Sequence, residues 1–531
     1  MHQNNILNKC LNKYSVRLAA YYLILAIYTI VAFIIPLKIS VFIDEVVYYN
    51  SIWSRQLYIL FSLSLIELFL SLLKDDLNIQ LSNKIAFHIE YEIANKIKHA
   101  VYKQVEKYDD AYLAQRINND SVIVGDFVSE KFPYFIADIS LVGIILLYLY
   151  RVELVLGILF TVWIIIFFIS YIVTKKWLFQ YAEKMFDSQA DFFAMLSDQF
   201  NSILLTKMNA WYEEKNMEFK ETVHEFYKKS LKYLRLEFLI KDSGVFLSRA
   251  LMIFAVCVLG WKILHGESSV GSITSIILYA EIIAAKLNTA GTYGDSYQKY
   301  KLAGKRLVEL SEYPLEVNGE MQLDNISSVE MKGVSYNIEN SVIQYPDIIM
   351  QKGHIYVIKG ENGSGKSTMI NLLLGIIQCD QGSIYYNKKL ISNVDMDYLK
   401  RTVIAVKNQI PYILNGDIKR NISPDGTLHD SLSLEPVIRK MLSFTEKRGF
   451  LDMKIKHKNT ELSGGEQQRI AICRSLYKKA DFLILDEPTN GLDKETTNDL
   501  IVNLKSSTEK IILIITHENC FDEIADQIIY L

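Results

Sequence analysis

Apolar residues are spread unevenly along this chain. A bilayer core needs about 20 of them per helix, and the first 290 positions carry six such runs: Leu18–Ile39, Leu57–Leu73, Phe135–Tyr150, Leu154–Val173, Val245–Leu264 and Val270–Ala285. Only Arg151, Val152 and Glu153 separate the third run from the fourth, which predicts a tight hairpin. Long charged stretches follow the second run (Lys74 to Lys131) and the fourth (Lys175 to Lys241). Inside them, Ile89 to Val105 and Met195 to Phe219 alternate apolar and charged positions at helical spacing, so the spans are expected to continue as helices beyond the membrane. These stretches and the N-terminus (Lys9, Lys13, Arg17) are rich in Lys and Arg, whereas the short loops opposite are poor in them. The positive-inside rule then puts both termini and both long loops in the cytoplasm. The first run is too long for the apolar core of a cleavable signal peptide and lacks a small-x-small cleavage site.

Beyond about residue 325 the pattern changes to short strand-length runs separated by helical stretches, an α/β arrangement. It predicts a parallel sheet flanked by helices, with a helical insert between Gln409 and Ser463. Pro314 and Gly319 mark a linker. The expected domains are a six-helix membrane domain over 1–290, a connecting helix and linker over 291–324, and a soluble domain over 325–531.

Composition adds little against this pattern. A net charge of −3 gives no reason to expect nucleic acid as a partner. The five cysteines are scattered without CxxC spacing, so neither a metal site nor a disulfide framework is expected. Three carboxylates matter more. Glu67, Asp138 and Glu281 fall within the predicted spans, where facing lipid costs several kcal/mol. They line a wet cavity and contact a cationic or polar substrate, or they pair structurally, as Glu281 could with Lys286, or they lie near a water-filled entrance. Tyr21, Tyr22, Tyr28, Trp163 and Tyr279 are expected to serve interface belts and packing.

The soluble half contains Gly360-Glu361-Asn362-Gly363-Ser364-Gly365-Lys366-Ser367-Thr368, which fits the P-loop pattern G-x-x-x-x-G-K-[ST]. It sits between the strand-like Ile355 to Ile358 and the helix-like Met369 to Leu374, the context that the motif requires. The glycines let backbone N–H groups curl around phosphate oxygens, and the helix N-terminus adds the positive end of its dipole. Lys366 is expected to reach the β- and γ-phosphates and Ser367 to hold Mg2+. Phe482 to Glu487 is a buried-strand pattern ending in two carboxylates. Asp486 is the candidate Mg2+ ligand, through water, and Glu487 the candidate base that polarises the attacking water. His517, after the apolar run Ile511 to Ile515, is a candidate γ-phosphate contact. Ser463, Gly464 and Gly465 precede a helix expected to begin near Glu466 and make a second anion site.

With Leu462 to Arg469 shortly before Phe482 to Glu487, the chain resembles the ATP-binding cassette (ABC) transporter family, and the resemblance covers essentially its whole length. Arg116 to Asp120 is similar to the family's segment after the first coupling helix, His265 to Gly271 to its turn between helices five and six, and Arg306-Leu307 to its helix before the nucleotide domain. Ile43-Asp44 also fits. The resemblance implies an exporter-type α-helical transmembrane domain of six spans, followed by a P-loop α/β ATPase domain with a helical subdomain. It implies that Tyr336 stacks on adenine, for which a flat π-face suffices. It makes Gln409 the Q-loop residue that senses Mg2+ and the γ-phosphate, and places Asp493 in the D-loop. Ser463, Gly464 and Gly465 would grip the γ-phosphate held by the opposite subunit.

The implied cofactors are ATP and Mg2+, and the implied partners are a second copy of the chain or a related half-transporter, membrane lipids and an exported substrate. A bacterial cytoplasmic membrane and a bacteriocin-like peptide cargo are favoured. A hydrophobic drug or a lipid is the alternative cargo, and an ATP-gated channel or a membrane sensor is the alternative class. Glu466 stands where the family more often has glutamine, and Lys456 to Glu461 lacks the usual Gly-Glu pair. The sequence stops right after Gln527 to Leu531, which predicts reduced dimer contacts there, and no cysteine peptidase domain precedes the first span, so no leader cleavage is expected.

Overall fold

The computed structural model describes residues 5–531 except 50–51, 54, 109, 339–340, 362, 425–427, 429–435, 449 and 456–461. The chain forms two compact units, Met1–Ile97 with Asp109–Glu312, and Lys98–Tyr108 with Tyr313–Leu531.

The first unit is helical: α1 (Asn5–Tyr49), α2 (Arg55–Lys98, whose last residue falls in the second unit), α4 (Asp110–Asp126), α5 (Phe132–Val152), α6 (Leu154–Asn201), α7 (Ile203–Asn209), α8 (Tyr212–Leu264) and α9 (Val270–Ser311). The short α3 (Tyr102–Val105) belongs to the second unit. Among the described residues six helices are long and apolar enough to cross a membrane. The expected hairpin is tighter than its sequence suggests, with Glu153 alone between α5 and α6. The helical extensions are present but broken, at 99–101 between α2 and α3 and again around α7. The third span includes a π-helical turn, Phe127–Lys131, between α4 and α5. Pro133 follows it and has no N–H to donate to Ser129, so the helical ladder must shift locally.

Leu141, Ile145, Phe160, Leu259, Tyr279 and Ile283 form the core of this unit, from α5, α6, α8 and α9. The Tyr279 hydroxyl donates to the Phe33 carbonyl at 2.7 Å. Two of the short motifs meet where α1 approaches α9. Asp44 accepts from the Gly271 amide and the Ser269 hydroxyl, both at 2.7 Å. A Cβ on Gly271 would lie 2.0 Å from the Ser40 carbonyl oxygen, so only glycine permits this approach. At its other end α9 binds α4, where Arg306 Nε donates to the buried Asp120 at 2.9 Å.

The second unit has two sheets. Strands β1 (Ser328–Ile338), β2 (Ser341–Gln344), β3 (Ile348–Gln351), β5 (Gln381–Tyr386) and β6 (Lys389–Leu390) make an antiparallel one. Strands β4 (Ile355–Lys359), β7 (Ile404–Lys407), β10 (Phe482–Asp486), β11 (Ile511–Ile515) and β12 (Gln527–Tyr530) make a parallel one, in the order β12-β4-β11-β10-β7. All residues of β4, β10 and β11 are buried, as expected of strands covered on both faces. Helices α10 (Lys366–Leu373), α11 (Met396–Thr402), α14 (Gly464–Tyr477) and α15 (Lys494–Ser506) accompany the sheet. The insert holds α12 (Ile418–Ile422), α13 (Pro436–Met441) and a two-strand pair, β8 (Gly416–Asp417) with β9 (Lys454–Ile455).

Candidate functional site

In a parallel α/β sheet, ligands bind beyond the carboxyl ends of the strands. The candidate residues converge there. The P-loop leaves β4, Gln409 follows β7, Asp486 ends β10 with Glu487 next after it, and His517 follows β11. The strand order makes these four ends consecutive.

The P-loop is shaped by its glycines. Gly363 and Gly365 have φ of 88° and 93°, the left-handed region that L side chains rarely adopt. A Cβ on Gly365 would also meet the Tyr345 hydroxyl at 2.8 Å, and that hydroxyl donates to the Gly365 carbonyl at 3.0 Å. Lys366 opens α10 and its ammonium donates to the carbonyls of Gly360 and Glu361, at 2.7 and 2.9 Å. The buried Ser364 hydroxyl has no hydrogen-bond partner, which suits a cradle whose acceptors come from a ligand. Ser367 is exposed and Thr368 half-buried in the first turn of α10. Asn362 lies outside the described residues.

Opposite stand the carboxylates. Asp486 and Glu487 are 6% and 5% exposed. Burial pushes the Asp486 carboxyl up, opposed by Lys407 and Lys366. Glu487 Oε1 lies 2.9 Å from His517 Nδ1, and this bond raises the imidazole above its ordinary value. The buried carboxylate and the exposed imidazole thus stand within hydrogen-bond reach of each other at the strand ends. Ser367 and Asp486 are hard oxygen donors, the kind that suits Mg2+.

The structure also brings in residues that the sequence reading passed over. Lys407, the last residue of β7, is 1% exposed and its ammonium donates to the carbonyl oxygens of Asp486 and Glu487, both at 2.7 Å. Burial pushes this ammonium down to about 8. A lysine closing an apolar strand, Ile404–Lys407, was the available signal. Gln468 donates to the Gln409 carbonyl at 3.0 Å, tying the exposed Gln409 to α14. The ammonium of Lys103, on α3, stands over the half-buried Tyr336 ring, 5.5 Å from its centroid, within cation–π range.

Ser463, Gly464 and Gly465 lie at the start of α14, which begins at Gly464, two residues earlier than expected. The reason is a capping box. Ser463 Oγ accepts from the Glu466 amide, and the Glu466 carboxylate accepts from the Ser463 amide at 2.6 Å. Glu466 thus fills the reciprocal role open equally to glutamine. Gly465 packs on Gly491, where a Cβ would meet the Gly491 carbonyl oxygen at 2.3 Å. Asp493 caps α15 through the Thr496 amide, which holds its carboxyl below the usual range, and it pairs with Arg469.

The intramembrane carboxylates divide into two kinds. Asp138 is paired with Lys286 at 2.8 Å and accepts from the Tyr293 hydroxyl at 2.9 Å. Among the described residues the ion pair of Lys286 is with Asp138 on α5, and none joins it to Glu281. Glu67 and Glu281 line a cavity of about 430 Å³ with Tyr28 and Tyr134, and neither takes part in an ion pair among the described residues.

Comparison with known proteins matches the ABC transporter transmembrane region at residues 18–287 and the ABC transporter ATP-binding model, described as "ABC transporter", at 344–490. The chain is 24% identical over 502 residues to the multidrug resistance-like ATP-binding protein MdlB of Buchnera aphidicola, covering 90% of this chain and 84% of that one. It is 23% identical over 482 residues to the sublancin-168-processing and transport ATP-binding protein SunT of Bacillus subtilis, covering 87% and 66%. Its fold matches that of a bacterial Atm1-family ABC exporter solved with ATP bound, at a TM-score of 0.79 and 15% identity over 98% of this chain and 94% of that one. The chain belongs to the ABC transporters, as a half-transporter of the exporter type in which a six-helix membrane region is fused to an ATP-hydrolysing domain.

Proposed function

We propose that this exporter uses ATP to move a cationic peptide out across a bacterial cytoplasmic membrane, as a homodimer with both termini in the cytoplasm and domain limits near residues 290 and 325. The observation that carries the cargo reading is the intramembrane cavity, where Glu67 and Glu281 are left without cationic partners among the described residues. Carboxylates are costly in a membrane and are kept where they serve a pathway or ligand. The likeness to SunT, named for the processing and transport of sublancin-168, supports a secreted cargo of that kind. A hydrophobic drug or lipid is the second cargo, favoured by the apolar part of the lining, including Leu25, Ile35 and Leu278.

In this reading Tyr336 stacks on adenine, and Gly360, Asn362, Gly363, Ser364, Gly365, Lys366 and Thr368 hold the phosphates. Ser367, Gln409 and Asp486 would hold Mg2+, which would neutralise charge on the phosphate oxygens. Glu487 accepts a proton from the attacking water, and His517 orients the γ-phosphate. Ser463, Gly464, Gly465 and Asp493 act on the nucleotide of the opposite copy, so each hydrolytic site needs both chains.

Peptide-stimulated ATPase in proteoliposomes tests the cargo. A lysine-rich amphipathic peptide is expected to stimulate turnover, and Glu281→Gln should raise the half-maximal concentration about tenfold, the effect of one lost charge-assisted contact. Equal stimulation of both proteins would remove Glu281 from the binding site.

A further inference from the structure

Lys407 is the only charged residue of β7, and its strand neighbours Ile404 and Ala405 are core. At 1% exposure its ammonium is out of reach of solvent. A buried ammonium persists only where acceptors and opposite charge surround it. Here two acceptors are the main-chain carbonyls of Asp486 and Glu487, each at 2.7 Å. Strands β7 and β10 run parallel with Lys407 in register with Leu485, so the side chain needs to extend only one and two residues along the neighbouring strand.

What it grips is a strained turn. Glu487 has φ of 47°, a left-handed conformation that a residue with a side chain holds only when its surroundings impose it. The Glu487 amide donates to the Ile515 carbonyl at 2.8 Å, which fixes the turn on one side through β11. Lys407 fixes the other, by binding the carbonyls before and after that residue's Cα. The carboxylate is held separately, with Oε1 at His517 Nδ1 and Oε2 accepting from the Thr516 hydroxyl at 3.4 Å.

We infer that Lys407 is a positioning residue for ATP hydrolysis: it locks the main chain of Asp486 and Glu487 so that the Glu487 carboxylate faces the attacking water. The inference rests on Glu487 being the base. With its ammonium buried on two main-chain carbonyls, Lys407 offers nucleotide no contact of its own, so its loss should act on turnover and leave binding alone.

The test uses the full-length protein in proteoliposomes with two variants, Lys407→Met, which keeps the length and removes charge and donors, and Lys407→Gln, which removes the charge and keeps an amide NH2 as donor. Three quantities are measured: kcat, the Kd for the non-hydrolysable analogue AMP-PNP, and hydrogen–deuterium exchange of the segment from Leu485 to Pro488. For Lys407→Met, kcat is expected to fall about tenfold or more with Kd within about twofold, the split expected when an interaction serves the transition state alone. Exchange in the segment should rise, and Lys407→Gln should lie between the two proteins in both kcat and exchange. Wild-type kcat in Lys407→Met, or unchanged exchange, overturns the inference. So does a loss of AMP-PNP binding in both variants, which would make Lys407 a purely structural residue. Full turnover by Glu487→Gln would instead defeat the assignment of the base, and the exchange measurement would still report whether Lys407 holds the turn.

Discussion

At the residue scale, Glu487 is the proposed base and the most constrained side chain of the site. Its left-handed backbone costs roughly 1–2 kcal/mol, its carboxylate is buried, and its Oε1 meets His517. Glu487→Gln keeps the shape of the side chain but cannot accept the proton of the attacking water. Hydrolysis is expected to fall by about 10²–10⁴-fold with ATP binding retained, as turnover measured beside nucleotide Kd will report. Fast steady-state turnover would assign the base to another group. Most of this site was legible, because P-loop and strand-end carboxylates are spaced within single segments. Lys407 was not, because its role comes from carbonyls 79 and 80 residues away on a neighbouring strand. Glu466 was legible only as a departure, and its capping box supplies the reason that the position accepts it.

At the element scale, the number and order of the spans followed from hydropathy, but their ends did not. Helical periodicity runs through 99–101, where the structure breaks α2 from α3. The break is made by partners distant in sequence: the Val101 amide donates to the Pro314 carbonyl at 2.9 Å, and the His99 carbonyl accepts from Glu316 at 2.8 Å. Backbone pairing of this kind leaves no trace in local spacing. The tie between α5 and α9 was hidden from the sequence for a similar reason. Lys286 has a carboxylate five positions before it in sequence, yet it pairs with Asp138 on another helix. Asp138→Asn leaves that lysine without its counter-charge and should destabilise the protein by about 1–3 kcal/mol, seen as a lower Tm in detergent. Adding Lys286→Met should restore part of the loss. No change of Tm in Asp138→Asn would mean that the pair contributes nothing to folding.

At the scale of the whole molecule, the exporter is an ATP-driven population shift. ATP can move the membrane region only by binding one state of the assembly better than the other. Gly464 and Gly465 pack on Gly491 at the head of α14, away from the P-loop at the end of β4, and in the proposed reading these two parts serve the nucleotides of different copies. Pairing of two chains completes both sites at once in the proposed homodimer. A channel or sensor built on the same parts would turn over ATP without accumulating cargo. The most direct test is uptake of a radiolabelled lysine-rich peptide into inverted membrane vesicles. The account predicts accumulation above the external concentration with ATP, and none with Glu487→Gln. Mere equilibration across the membrane in the unmodified protein, or uphill accumulation that survives Glu487→Gln, would contradict it.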